Sequence, residues 1–302
     1  MENWNKKGYL QISFQWIFAI VVGIIILFLA IYLATKIINL GEIKVDATTA
    51  REIGILTNPL ETGFDMGGTL TFPSGTRINN QCDGFGDFGT QIISVSQKSF
   101  GKYSDTNINV GFNNKYIFSD QYVEGKKFYL SSKPLEMPFK IADLIFLTSE
   151  RYCFLDIPKE LEDSVPIQEN IITEKEECSK NDIKVCFAED NCDINVKYGQ
   201  GYVEKQGEKL YFTGNLLYGA IFSEKGIYEC QVKRLMQRLE QLSNLYYDKS
   251  YFISNKCQSE LNEDLLEMSN SAKEIKDSRD LENINLLSEV IKEKNKGDCE
   301  LF

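Results

Sequence analysis

Histidine is missing from all 302 residues. That absence removes the Ser-His-Asp and Cys-His relays, the H-E-x-x-H zinc helix and every imidazole-held metal, because each loses its base or its ligand. Long basic runs are missing too. The chain has 33 basic and 44 acidic residues, no Lys or Arg run exceeds a pair, and residues 37–302 hold 30 basic against 43 acidic side chains. Such a surface repels phosphate backbones, so nucleic acid is excluded as a partner. The pairs Lys6-Lys7, Lys126-Lys127 and Lys233-Arg234 read as membrane topology or solvated surface. All six prolines lie between 59 and 166, and no glycine occurs between Gly226 and Gly297, so the texture of the chain changes near residue 226. Charge is absent from Gly8 to Thr35.

That uncharged stretch is the clearest signal present. Trp16 to Ala34 is 19 residues, thirteen of them Ile, Val, Leu or Phe, and as a helix it spans about 28 Å, enough for a bilayer core. Trp4, Tyr9 and Trp16 at one end and Tyr32 at the other suit the headgroup level. The alternative is a cleaved secretory signal, against which stand the length of the run and the lack of a small-x-small site after it. Residues 1–40 therefore read as an anchor, with the N-terminus cytoplasmic and the bulk of the chain outside. Charge flanks are balanced, since Lys36, Lys44 and Arg51 face Lys6 and Lys7, so the cysteines carry the orientation.

Those cysteines are Cys82, Cys153, Cys178, Cys186, Cys192, Cys230, Cys257 and Cys299, an even set entirely beyond the apolar run. An even, ectodomain-confined set points to an oxidising compartment and at least two disulfides, the alternative being a mixture of buried thiols and fewer bridges. Connectivity stays open among on the order of a hundred pairings. Cys178, Cys186 and Cys192 are close enough for local bridging. Zinc is disfavoured, since there are no C-x2-C pairs and no histidine.

The segment Lys6-Lys7-Gly8, then Gln11-Ile12-Ser13-Phe14-Gln15 and the apolar run, resembles the class III signal of archaeal type IV pilin-like proteins. The resemblance rests on Lys6, Lys7, Gly8, Gln11, Ser13 and Gln15, with Gln15 where the pattern has an acidic residue and Tyr9-Leu10 between Gly8 and Gln11. It implies cutting ahead of the apolar helix, which stays on the mature protein as filament core or anchor. Ala19-x-x-x-Gly23 and Ala30-x-x-x-Ala34 would permit close helix approach.

Beyond the anchor, Asp46 is a reasonable N-cap for a short helix carrying Ala50, Ile53 and Leu56 and ending before Pro59. Alternating strand patterns follow at 69–72, 91–96, 107–112, 127–130, 183–187, 194–198, and 201–205 with 209–213 around a Gln206-Gly207 turn. Residues 159–181 are acidic and weakly patterned, reading as a surface loop. After Gly226, Tyr228, Val232, Leu235, Met236, Leu239, Leu242 and Tyr246 recur at helical spacing, as do Cys257, Leu261, Leu265, Met268, Ala272 and Ile275, and a third piece runs from Leu281 to Ile291. The expected fold is α+β: a transmembrane helix, a mainly antiparallel β head over 41–225, and two to three helices over 226–302 packed on it.

No catalytic, cofactor-binding or metal-ligating set emerges. Gly84-Phe85-Gly86-Asp87-Phe88-Gly89 matches G-x-G-x-x-G formally, yet a strand rather than a helix follows it, so it reads as a structural loop beside Cys82. Asp190 to Asn195 lacks the oxygen ligands of a calcium loop and reads as a turn. Glu160 with Glu162 or Asp163 reads as exposed surface. The expectation is a non-enzymatic, membrane-anchored surface protein, pilin-like, adhesive or accessory, working through the membrane and through protein partners or self-assembly. The alternatives are a tethered ligand-binding module, with its pocket between sheet and helices, and a carboxylate-based hydrolase.

Overall fold

The computed structural model describes residues 16–34, 67–99, 101–103, 109–166, 168–188, 191–254, 257, 259–297 and 299–302. Two compact units divide the chain, Met1–Val45 and Asp46–Phe302. The expected helix after Asp46 and the signal motif at 6–15 lie outside the described residues.

In the first unit, helix α1, Trp16–Ala34, is long and apolar enough to cross a membrane. Its large side chains, among them Trp16, Phe18, Phe28 and Leu33, are exposed around the whole circumference. A helix that is apolar on every side suits a lipid solvent.

The second unit begins with seven strands: β1 (Gly68–Asp83), β2 (Thr90–Ser99), β3 (Lys102–Tyr103), β4 (Val110–Phe112), β5 (Tyr116–Phe118), β6 (Tyr122–Glu136) and β7 (Lys140–Thr148). They form one sheet in the order β3-β2-β1-β6-β7-β5, with β4 also pairing β2. Register places Ile78 of β1 opposite Val95 on one side and Val123 on the other. The sheet curls. Although β2 and β5 stand far apart in that order, the side chains of Asn80 and Gln91 both reach the main chain of Ile117. Curling encloses a core of Ile78, Ile93, Val95, Ile117, Val123, Phe128, Leu130, Ile145 and Leu147. Alternation along β7 sends Ile145 and Leu147 into that core and Leu144 and Phe146 into a second one on the opposite face, as the period of two requires.

The chain then builds β8 (Tyr152–Leu155), α2 (Lys159–Glu162), β9 (Ile171–Ile172), β10 (Ile183–Cys186), β11 (Ile194–Lys197), β12 (Tyr202–Lys205) and β13 (Glu208–Tyr211). These strands make a second sheet in the order β13-β12-β11-β10-β8-β9. Its β9, β8, β10 and β11 are parallel neighbours, while β11, β12 and β13 form an antiparallel meander. With β5 parallel to β7, the sheets are mixed but mostly antiparallel. The turn from β12 to β13 has positive φ at both Gln206 (52°) and Gly207 (76°), the two-residue geometry that matches strand twist. Where the sequence reads as a loop across 159–181, α2 and β9 form instead. Asn170 is fully buried there, its amide donating to the Glu150 carbonyl at 2.6 Å.

Four helices complete the unit: α3 (Leu216–Phe222), α4 (Lys225–Ile253), α5 (Asn262–Glu274) and α6 (Leu281–Asn295). All seven residues of α3 are buried, which places helix ahead of the expected start at 226. Phe222 of α3 meets the rings of Phe146 from the first sheet and of Tyr152 and Phe154 from the second, so one side chain joins both sheets to the helical layer. Along α4, Tyr228, Val232, Leu235, Met236 and Leu239 are buried and enter the larger core with Leu265 and Met268 of α5 and Ile284 and Ile291 of α6. Truncating any of these large apolar side chains to alanine costs about 2–5 kcal/mol.

All eight cysteines are bonded: Cys82–Cys230, Cys153–Cys178, Cys186–Cys192 and Cys257–Cys299. The first joins β1 to α4, the second the loop after β9 to β8, the third closes the turn between β10 and β11, and the fourth ties the α4–α5 connection to the chain end. Of the three cysteines near enough for local bridging, Cys186 and Cys192 pair and Cys178 does not join them.

Candidate functional site

Two ionisable groups with displaced protonation stand together in the head. Asp120 lies between β5 and β6, and Lys205 ends β12; both line a cavity of about 60 Å³ with Glu208, Leu210 and Glu224. Burial lowers the Lys205 ammonium to about 8, against the opposing pull of Asp120 and Glu224. Asp120 is exposed as a residue, yet partial desolvation of its carboxyl raises it, opposed by Lys205 and by the Glu224 backbone N–H that its carboxylate accepts. Displaced groups beside a cavity are where chemistry is first sought.

Lys205, however, is engaged. Its Nζ donates to the Ile221 carbonyl at 3.0 Å and to the Ser223 carbonyl, and Ile221 belongs to the last turn of α3, where carbonyls lack intrahelical partners. A cation there also meets the negative end of the helix. Lys205 thus fastens α3 to β12, an arrangement whose work is structural. Asp120 also borders a neighbouring cleft of about 290 Å³, lined by Tyr122, Glu124, Glu150, Tyr152 and Phe222 among others. Glu124 in that cleft accepts from Arg77 Nε at 2.7 Å and from the Tyr103 hydroxyl at 3.0 Å.

A second polar assembly closes one end of the curled sheet. Asn80, Gln91 and Gln231 form a buried chain of amides: Gln91 Nε2 donates to Asn80 Oδ1, and Gln231 Nε2 donates to Gln91 Oε1. Asn80 Nδ2 also donates to Ser119 Oγ at 2.7 Å. Arg234 extends the assembly, donating to the carbonyls of Phe88 (3.0 Å), Lys115 (2.8 Å) and Asn113 (3.0 Å) and to Gln231 Oε1 (2.9 Å). The sequence reads Lys233-Arg234 as solvated surface, and for Arg234 this is corrected: it is 0% exposed. The reason is position, since Arg234 lies on the helix face that carries Cys230 to β1. Burial lowers its guanidinium to about 10, with Asp83 pulling the other way.

The loop Gly84 to Gly89 is the platform on which α4 lands. Gln237 Nε2 donates to the Gly84 carbonyl and Gln241 Nε2 to that of Asp87, each at 3.1 Å, beside the Arg234 bond to Phe88. Gly89 has φ +57°, and a Cβ there would stand 2.3 Å from the Asp83 carbonyl. Cys192 N donates to Asn195 Oδ1 at 3.2 Å, tightening the turn near the Cys186–Cys192 bridge. Glu160, Glu162 and Asp163 are exposed. Among the described residues, no group of three or more His, Cys, Asp or Glu is arranged to hold a metal ion.

Sequence reasoning missed Asp120, Lys205 and the burial of Arg234. Lys205 sits next to a turn, where a lysine reads as solvated, and Asp120 lies in a polar stretch between strands. No family model, curated protein or solved structure matches this chain.

Proposed function

We propose that this chain is a single-pass, membrane-anchored protein that displays a disulfide-braced α+β head outside the cytoplasm. It works there through contacts rather than catalysis, as an adhesive or accessory surface component. One observation carries the reading: an apolar helix fit to cross a bilayer precedes a unit whose eight cysteines all pair. Disulfides persist in oxidising compartments and are rare in reducing ones. The engagement of Lys205 Nζ by the carbonyls of Ile221 and Ser223 at the end of α3 supports a binding role over acid–base chemistry.

Protease added to intact cells tests the orientation. The head is digested, and material protected until the cells are opened overturns it. The pilin-like version has its own test, carried by the Gly8–Gln15 motif. Mass spectrometry of the purified native chain shows an N-terminus beyond Lys7, and a chain beginning at Met1 removes processing.

A further inference from the structure

We infer that the cleft between the second sheet and α6 is a binding site for a neutral saccharide. It has a volume of about 330 Å³, and its lining includes Tyr198, Gln200, Phe212, Arg279, Glu282 and Asn285. The inference deepens the surface-contact reading, on which it rests for its biological setting.

The ligand class follows from what the cleft presents. Tyr198 stacks on Phe212, with ring centroids 6.2 Å apart and an interplanar angle of 24°, yet stays 38% exposed. It is a fixed, half-open aromatic plate of the kind that covers the C–H face of a sugar ring, while its hydroxyl remains a polar handle. The backbone that carries the plate is held in place, because Gly201 N donates to the Tyr198 carbonyl at 3.1 Å and Phe212 N to that of Gly201 at 2.8 Å. Beside it, Gly199 has nothing within 4 Å of where a Cβ would stand, so a ligand ring can approach the backbone.

Around the plate stand groups that both donate and accept. Asn285 Oδ1 accepts from Thr213 Oγ1 at 2.7 Å, which orients the amide, and Gln200 and Glu282 add an amide and a carboxylate on the exposed rim. Sugar hydroxyls need such mixed partners. Charge selects against anions: among the described residues lining the cleft Arg279 is the one cation, its Nε donates to Asp277 Oδ1 at 2.8 Å, and Glu282 leaves the rim negative. A phosphate, sulfate or uronic acid would meet a guanidinium already neutralised and a carboxylate beside it.

The test uses the full chain in a detergent without sugar headgroups, passed over immobilised neutral oligosaccharides of glucose, mannose and N-acetylglucosamine, with sulfated and uronic-acid glycans alongside. At least one neutral glycan retains the protein. Tyr198→Ala lowers that affinity about tenfold or more, as loss of an aromatic anchor does, Tyr198→Phe, which loses the hydroxyl and keeps the ring, retains most of it, and Tyr122→Ala, in the other cleft, leaves it unchanged. Glu282→Ala, on the exposed rim of α6, weakens binding several-fold and guards against a folding defect in the tyrosine variant. No retention on any neutral glycan, stronger retention on the anionic ones, or binding indifferent to both Tyr198→Ala and Glu282→Ala overturns the proposal. Because binding is measured on purified protein, it succeeds or fails separately from the cell-surface protease experiment.

Discussion

The guanidinium carbon of Arg234 stands 4.8 Å from the ring centre of Tyr116, stacking a buried cation from α4 on an aromatic ring of β5. The geometry favours cation–π attraction, which gains strength where water is excluded. The other partners of Arg234 are three main-chain carbonyls and the Gln231 side chain. Removing the guanidinium takes a donor from all four acceptors, of which the Lys115 carbonyl and Gln231 Oε1 are buried. We expect Arg234→Met to cost about 2–4 kcal/mol in urea unfolding, because buried acceptors left unbonded cost about 1–3 kcal/mol each before relaxation. Arg234→Lys does not rescue, since one ammonium cannot span the fork. Both tryptophans, Trp4 and Trp16, belong to the first unit, Met1–Val45, so the head is followed by tyrosine signals.

Stability depends on pH through Lys205. Its folded-state pKa of about 8 lies below the unfolded value, so between pH 8 and about 10 the unfolded chain binds more protons than the folded one. The linkage slope is then positive, and stability rises with pH, by up to about 3 kcal/mol if the whole displacement is expressed. Above pH 10 the sign reverses. Burial raises the phenols of Tyr152, Tyr218 and Tyr228, Tyr218 to about 12, so the unfolded state loses protons that the folded state keeps. Denaturation midpoints at pH 7.5, 9 and 11 trace a maximum, and Lys205→Met flattens the rising limb.

The four bridges differ in worth because they close loops of different length. Cys82–Cys230 spans 148 residues and Cys186–Cys192 only 6. In the chain-entropy model these correspond to about 5 and about 2 kcal/mol. Paired serine substitutions rank them, with Cys82→Ser/Cys230→Ser the most damaging and Cys186→Ser/Cys192→Ser the least. Alkylation of the native, unreduced protein labels no thiol and labels eight after reduction.

Two glycines respond to alanine with opposite signs. At Gly219 in α3 a Cβ would approach the Phe118 ring to 2.7 Å, whereas at Gly226 in the first turn of α4 nothing lies within 4 Å. Alanine gains up to about 1 kcal/mol of helix propensity at either place. Overpacking at Gly219 costs about 1–3 kcal/mol and outweighs that gain, so Gly219→Ala lowers the melting temperature while Gly226→Ala holds or raises it.

The elements legible in the sequence are those with one wet face. β2, β10, β11, β12, β13 and the helices α4, α5 and α6 each alternate or recur because solvent takes one side. β7 is buried on both faces, so Ile141 to Leu147, apolar except at Asp143, shows no period of two to read. The same cause hid α3, buried all round and carrying Gly219. Parallel pairings such as β8 with β10 leave no local signature, since their partners lie far apart in sequence. Cys257, included in a helical stripe by its spacing, stands outside α5 and is bonded to Cys299. The clusters around Lys205 and Arg234 were illegible for a related reason: each gathers residues from strands and helices scores of positions apart, and a lone charged residue on a polar stretch reads as surface.

The bridge from Cys82 to Cys230 also sets how the head bears load. A pull on the chain ahead of Gly68 would load β1 from its N-terminal end and strip it from β6 and β2. Peeling halts at Cys82, where the pull passes covalently into the longest helix of the head and from there into the α4–α5 packing. Residues Gly68 to Gln81 lie ahead of the bridge, whereas the span from Cys82 to Cys230 cannot be drawn out while the bond holds.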